Sequence, residues 1–91
     1  MTRVIVWTKP NCVQCRLVKP RLTEARVPFE EHALTAPESS KDLEHFKGLG
    51  YSSAPITEYG GIAFPGFMPA QITRVIDAWR ADHPQHVEVP R

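Results

Sequence analysis

The chain has 91 residues, a net charge of +1 and two cysteines. That length suits one small domain able to hide roughly 64% of its unfolded surface without staples, and two cysteines are too few for a disulfide scaffold. The near-neutral charge, with Lys and Arg spread along the chain, argues against a nucleic-acid surface, and no apolar run approaches the length of a membrane span.

Residues 4–7, "VIVW", form a continuous run of β-branched and aromatic side chains. Such a run predicts a strand buried on both faces. It is too short for a signal-peptide core, and no small-residue cleavage site follows. The expected location is cytoplasmic, where a close Cys pair reads as catalytic or metal-binding. Lys9-Pro10-Asn11 then turn the chain. From Val13 onward, Leu17, Val18, Leu22 and Ala25 recur at helical spacing, with Pro20 expected to kink the helix. A second strand is expected over residues 29–33.

Pro37 and Glu38 suit the first turn of the next helix. Leu43, Phe46 and Leu49 make its apolar stripe, and Gly50 ends it. Two short strands are expected around Gly60-Gly61, a hairpin signal. Ile72, Val75, Ile76 and Trp79 mark a final amphipathic helix from about Pro69, stopped by Pro84. Trp7, Phe46 and Trp79 are expected core residues. The resulting architecture is α/β, in the order β-α-β-α-β-β-α, with a four-stranded mixed sheet and helices on both faces. The first two strands should be parallel through a right-handed crossover. The domain is expected to span residues 1–83, with residues 84–91 a flexible tail.

Cys12 and Cys15 carry the chemistry. A Cys-x-x-Cys pair beside a βαβ pattern in a cytosolic protein points to a thioredoxin-like redox motif. Cys12 falls at the strand-to-helix turn, where unpaired backbone N–H groups favour an anion. That makes it the expected nucleophile, with Lys9 adding positive charge nearby. Cys15 lies one helical turn further, within reach for a disulfide. The expected reaction is a two-step exchange: Cys12 attacks a substrate disulfide, then Cys15 resolves the mixed disulfide. Zinc and an inert buried pair are the alternatives, and the turn placement argues against the second because it should expose Cys12. A structural zinc site wants four ligands, and the pair supplies two. Of His32, His45, His83 and His86, only the last two are close, and their gap is tighter than finger spacing. The histidines are expected at the surface.

With the pair placed on that turn, the chain resembles the thioredoxin superfamily, and within it the NrdH-redoxins, small glutaredoxin-like proteins with thioredoxin-like activity. The quartet "CVQC" carries the resemblance, since typical dithiol glutaredoxins have Cys-Pro-Tyr-Cys and typical thioredoxins Cys-Gly-Pro-Cys. Val13 and Gln14 match the NrdH-type pair, and Pro20 resembles the helix proline of thioredoxins. The likeness runs from residue 3 to about 81. It implies a thioredoxin-like, glutaredoxin-type fold with a cis Pro55 opposite the redox pair, in "SAPI". The Ala54 backbone would then face the site and pair with an extended substrate segment. In "FPGFMP", Gly66, Phe67 and Pro69 match the family's Trp-Ser-Gly-Phe-Arg-Pro stretch, while Phe64, Pro65 and Met68 depart from it. Phe64 and Phe67 are expected to line an apolar groove.

The resemblance also implies the partners. Glutathione-binding glutaredoxins usually follow their Gly-Gly with an acidic cap, whereas Gly60-Gly61 precedes Ile62 and Ala63. Thioredoxin reductase, drawing on NADPH, is therefore the implied electron donor, and the large subunit of class Ib ribonucleotide reductase, through its C-terminal cysteine pair, the implied acceptor. No bound cofactor, metal, nucleic acid or membrane is expected, and the chain should be a monomer. The rival functions are a glutathione-dependent glutaredoxin and a non-catalytic metal- or cluster-binding module.

Overall fold

The computed structural model describes residues 3–51 and 54–83. The expected tail, residues 84–91, lies outside them, as do Ser53 and His86. The chain runs β1 (Val4–Thr8), α1 (Val13–Glu24), β2 (Phe29–Ala33), a 3-10 turn (Pro37–Ser39) leading into α2 (Ser40–Gly48), β3 (Ile56–Tyr59), β4 (Ile62–Pro65) and α3 (Pro69–Asp82). The element order is the expected one. The four strands form one sheet in the order β2-β1-β3-β4. β1 and β2 are parallel, with Val4 opposite Phe29 and Thr8 opposite Ala33. β3 runs antiparallel to both β1 and β4. No helix among the described residues is long and apolar enough to cross a membrane.

β1 is the central strand, and both of its faces are covered because its side chains alternate. Val4 and Val6 meet Val18 and Leu22 of α1 and Ile72, Val75, Ile76 and Trp79 of α3. Ile5 and Trp7 point to the other side, where Phe46 and Leu43 of α2 pack with Leu34 and Ile56. Two helices thus cover one face and one helix the other. Thr57 interrupts the apolar face: it is fully buried between Val6 and Phe64, and its hydroxyl has no hydrogen-bond partner among the described residues.

Two local readings need adjustment, at Leu17 and Leu49. α1 continues through Pro20 to Glu24, with Pro20 on its exposed side. Its buried stripe is Cys15, Val18 and Leu22, and Leu17 stands 46% exposed on the opposite side. Leu49 is also exposed, because it is the C-cap of α2 and not part of its buried stripe. Gly50 does end that helix. Its φ of +85° lets the Gly50 and Tyr51 amides turn back to the Lys47 and Phe46 carbonyls at 3.0 and 2.9 Å. The Tyr51 ring stacks on Phe46 across this turn.

Tyr59 ties the sheet to the end of α3, donating its buried hydroxyl to the Asp82 carboxylate at 2.5 Å. Burial first, and then Asp82, push its phenol up from 10.0 to about 12. In the unfolded chain the same group titrates at about 10. As the pH rises past that value the unfolded state loses its proton first, so Tyr59's contribution is intact below it and disappears as the pH approaches about 12. Tyr59→Phe should therefore flatten part of the alkaline loss of stability, at a cost of about 1 kcal/mol at neutral pH. Urea unfolding of both proteins near pH 8 and near pH 11 measures this: the stability gap between them should narrow at the higher pH.

Candidate active site

β1 delivers the chain to the site and α1 receives it. Between them Asn11 takes a φ of +58°, a conformation that Asn tolerates better than most residues. The turn leaves Cys12 as the N-cap of α1 in extended conformation. Its Sγ accepts the backbone N–H of Cys15 at 3.2 Å, as a Ser or Asp oxygen does at an ordinary helix start. The positive end of the helix dipole therefore bears on the Cys12 sulfur. Cys15 sits one turn in, and the two are joined in a disulfide with their Cα atoms 5.3 Å apart. The expected link within one molecule is thus present.

Both cysteines are set into an apolar wall of Trp7, Leu34, Phe46, Ala54 and Ile56. Trp7 is fixed by Phe46, edge-on at 5.4 Å, and by a 2.9 Å hydrogen bond from its indole to Glu58. Burial differs from expectation. Cys12 keeps only 8% of its surface and Cys15 only 3%. What lies open is the rim beside them, Lys9, Val13 and Gln14. Cys12 is thus slightly less buried than Cys15 in this disulfide-closed arrangement.

The far side of the site comes from the segments flanking β3 and β4. The Ala54–Pro55 peptide is cis, as the resemblance implied, and both residues are buried, Ala54 in the same cluster as the cysteines. The Pro55 carbonyl accepts the Gly66 N–H at 2.6 Å, which pins the loop after β4 beside the redox pair. Gly66 takes a φ of +79°, and a Cβ there would come within 3.4 Å of the Gln14 side-chain oxygen. Phe67 follows, half-buried, with the Arg21 guanidinium 6.0 Å from its ring centre. Val13, Gln14, Ala54, Pro55 and Gly66 thus border the cysteines or pack on residues that do, whereas Phe67 packs on the cluster between α1 and α3.

Phe64 does not. It is a core side chain packed with α1 and α3, because the alternation along β4 turns it inward. The Gly60-Gly61 turn is also misplaced as a guide to glutathione. It joins Tyr59 to Ile62 at the end of the hairpin away from Ile56, Pro65 and the cysteines. Ile62 and Ala63 therefore lie away from the pair, and the residue of this region that comes near it is Gly66, through Pro55 and Gln14. Lys9 is exposed in the turn, and no hydrogen bond joins it to either cysteine among the described residues. Arg21 is the contact that sequence reasoning missed, since its partner lies far along the chain.

The histidines are not all at the surface. His83 is buried, stacked on Trp79 with ring centres 4.4 Å apart, its Nδ1 2.8 Å from the Trp79 carbonyl oxygen. His32 lies against Trp7. Among the described residues no group of three or more His, Cys, Asp or Glu side chains is placed to hold a metal ion.

Comparison with known proteins finds no matching family profile. The chain is 32% identical to a glutaredoxin-like protein NrdH of Lactococcus lactis over 72 residues, which is 79% of this chain and 97% of that protein. It is 29% identical over its full length to an N-acetyl-S-hydroxy-L-cysteine reductase of Bacillus subtilis, covering 97% of that protein. Among solved structures it matches the glutaredoxin-like NrdH-redoxin of Escherichia coli, described as thioredoxin-like in its activity profile. That match has a TM-score of 0.72 and 25% identity, across 80% of this chain and 93% of the other. A glutaredoxin of Archaeoglobus fulgidus shares the fold, with a TM-score of 0.70 and 21% identity over 84% and 87% of the two chains.

Proposed function

The chain belongs to the NrdH glutaredoxin-like proteins and is a thiol–disulfide oxidoreductase, and from that premise we propose that it is an electron carrier for protein disulfides. The observation that carries the reading is the Cys12 sulfur at the N-cap of α1, receiving the Cys15 amide and already bonded to Cys15. In the reduced protein the Cys12 thiolate attacks one sulfur of a partner disulfide. A Cys12–partner bond forms, the partner's own S–S bond breaks, and the released sulfur takes up a proton. Cys15 then gives up its proton and attacks the Cys12 sulfur. The internal disulfide closes, and the partner leaves as a dithiol, two electrons richer.

Residues 1–83 carry this activity. Val13, Gln14, Ala54, Pro55, Gly66 and Phe67 form the substrate rim, and Lys9 supports the Cys12 anion through its charge. The acceptor is the C-terminal cysteine pair of the class Ib ribonucleotide reductase large subunit, and the donor is thioredoxin reductase with NADPH. The NrdH relatives and the thioredoxin-like activity profile of the Escherichia coli protein support that assignment. The full-length likeness to the Bacillus subtilis reductase favours a second reading, in which the acceptor is a small cysteine sulfenic acid. The same dithiol would reduce it to a thiol and water as Cys12 and Cys15 close.

Supplying the oxidised protein with NADPH and either thioredoxin reductase or glutathione with its reductase separates the electron sources. Turnover is expected with thioredoxin reductase, and turnover with glutathione alone would overturn the proposal. Offering the reduced protein either the reductase subunit's tail peptide or N-acetylcysteine sulfenic acid separates the acceptors, the first being the one expected to react faster.

A further inference from the structure

α1 carries two apolar stripes, and only one of them is used by the core. Cys15, Val18 and Leu22 face inward. Val13, Leu17 and Pro20 are exposed on the other side, within a sector of about 60° at the helical repeat. Isolated exposed hydrophobics are ordinary. Here, however, Val13, Leu17 and Met68 are three of the four large exposed hydrophobics among the described residues, and all belong to segments that border the cysteines. Val13 lies between the two cysteines in sequence, and Met68 follows Phe67, over which Arg21 of α1 is placed.

Charge gives this strip its character. Arg16 and Arg21 flank it, about 40° to either side by the same repeat. No carboxylate occurs between Lys9 and Glu24 in the sequence. Lys19, the remaining cation of α1, is engaged by Glu31 of β2 at 3.2 Å. Arg16 is exposed and makes no ion pair among the described residues. A second copy of the chain docked on this strip would set arginine against arginine, so the face suits a different occupant.

Resting on the oxidoreductase reading above, we infer that the Val13–Leu17–Pro20 face of α1, with Phe67 and Met68, docks the protein disulfide substrate, and that the docked segment carries apolar side chains flanked by carboxylates. The apolar side chains cover Val13, Leu17 and Met68. The carboxylates meet Arg16 and Arg21, fixing which substrate sulfur arrives at Cys12. Rim charges of this kind act mainly through encounter rate and salt dependence.

Three synthetic peptides test it. Each holds the same Cys pair as an internal disulfide followed by two leucines, flanked by glutamates, lysines or serines. The reduced protein should reduce the glutamate peptide about tenfold faster than the lysine peptide at low salt, with the gap closing as salt screens the charges. In Arg16→Glu the order of the two charged peptides should invert, which loss of structure cannot imitate. In Leu17→Ser the advantage of the glutamate peptide over a fourth peptide, with glycines in place of its leucines, should shrink. Equal rates for all three peptides would overturn the docking inference and leave the oxidoreductase reading standing. No reduction of any peptide would overturn both. A concentration-dependent dimer that Leu17→Glu dissolves would assign the face to a second copy instead.

Discussion

Cys12→Ser should lower disulfide reduction by at least about 10³-fold, to the level of the uncatalysed exchange, while Cys15→Ser should still attack a disulfide and then stall as a covalent adduct. The asymmetry follows from the helix start. Only the Cys12 sulfur receives a backbone amide at the N-cap, and only Cys12 follows directly on the exposed turn of Lys9, Pro10 and Asn11. Cys15 is the more buried residue of the two and lies inside the first turn of α1. It is placed to strike a sulfur already on Cys12 and badly placed to strike a partner directly. A serine at position 12 keeps the cap hydrogen bond, so the fold survives and the loss falls on chemistry. Mass spectrometry after mixing each reduced variant with a disulfide peptide reads the outcome: one adduct on Cys15→Ser and none on Cys12→Ser. The opposite pattern would exchange the two roles.

Much of this arrangement is legible in the sequence, for local reasons. The β-branched run at residues 4–7, the turn residues 9–11 and the cysteine spacing each state a conformation that neighbours need not supply. Gly50 announces its own left-handed turn. Less legible is whatever depends on which face of an element the rest of the chain covers. Val13 and Leu17 recur at helical spacing just as Val18 and Leu22 do, and only the packing of α1 on the sheet and α3 decides which pair is buried. Phe64 and Phe67 lie three residues apart, yet strand alternation sends the first into the core and the loop leaves the second half-buried at the edge of the same cluster, beside Arg21. The Gly60-Gly61 hairpin was readable, but which end of the sheet it occupies depends on the β1–β3 register. His83 carries a readable signal: it stands four residues after Trp79, at the C-cap of α3, where it extends the line of the helix's buried residues.

The apolar wall behind the cysteines should prove as necessary to the site as to the fold, and Phe46→Ala separates the two roles. Phe46 is almost wholly buried, meets Trp7 edge-on, stacks on Tyr51, and supplies the carbonyl that receives the Tyr51 amide at the end of α2. Truncating it should cost about 3–5 kcal/mol, a large share of the total of about 5–15 kcal/mol expected for a domain of this kind. The cavity would open beneath Trp7, in the cluster that also holds Cys12, Cys15, Ala54 and Ile56. Leu22→Ala is the matched control. It removes a fully buried side chain from the other cluster, between α1, α3 and the opposite face of the sheet, at about 2–5 kcal/mol. Both variants should unfold at lower urea concentration. Once rates are divided by the folded fraction, however, only Phe46→Ala should reduce disulfides more slowly, because only there does Trp7 lose the ring that holds it against the redox pair. If the corrected rates fall equally in both, the wall contributes stability alone, and the placement of the two sulfurs must come from α1 and the Pro55–Gly66 contact.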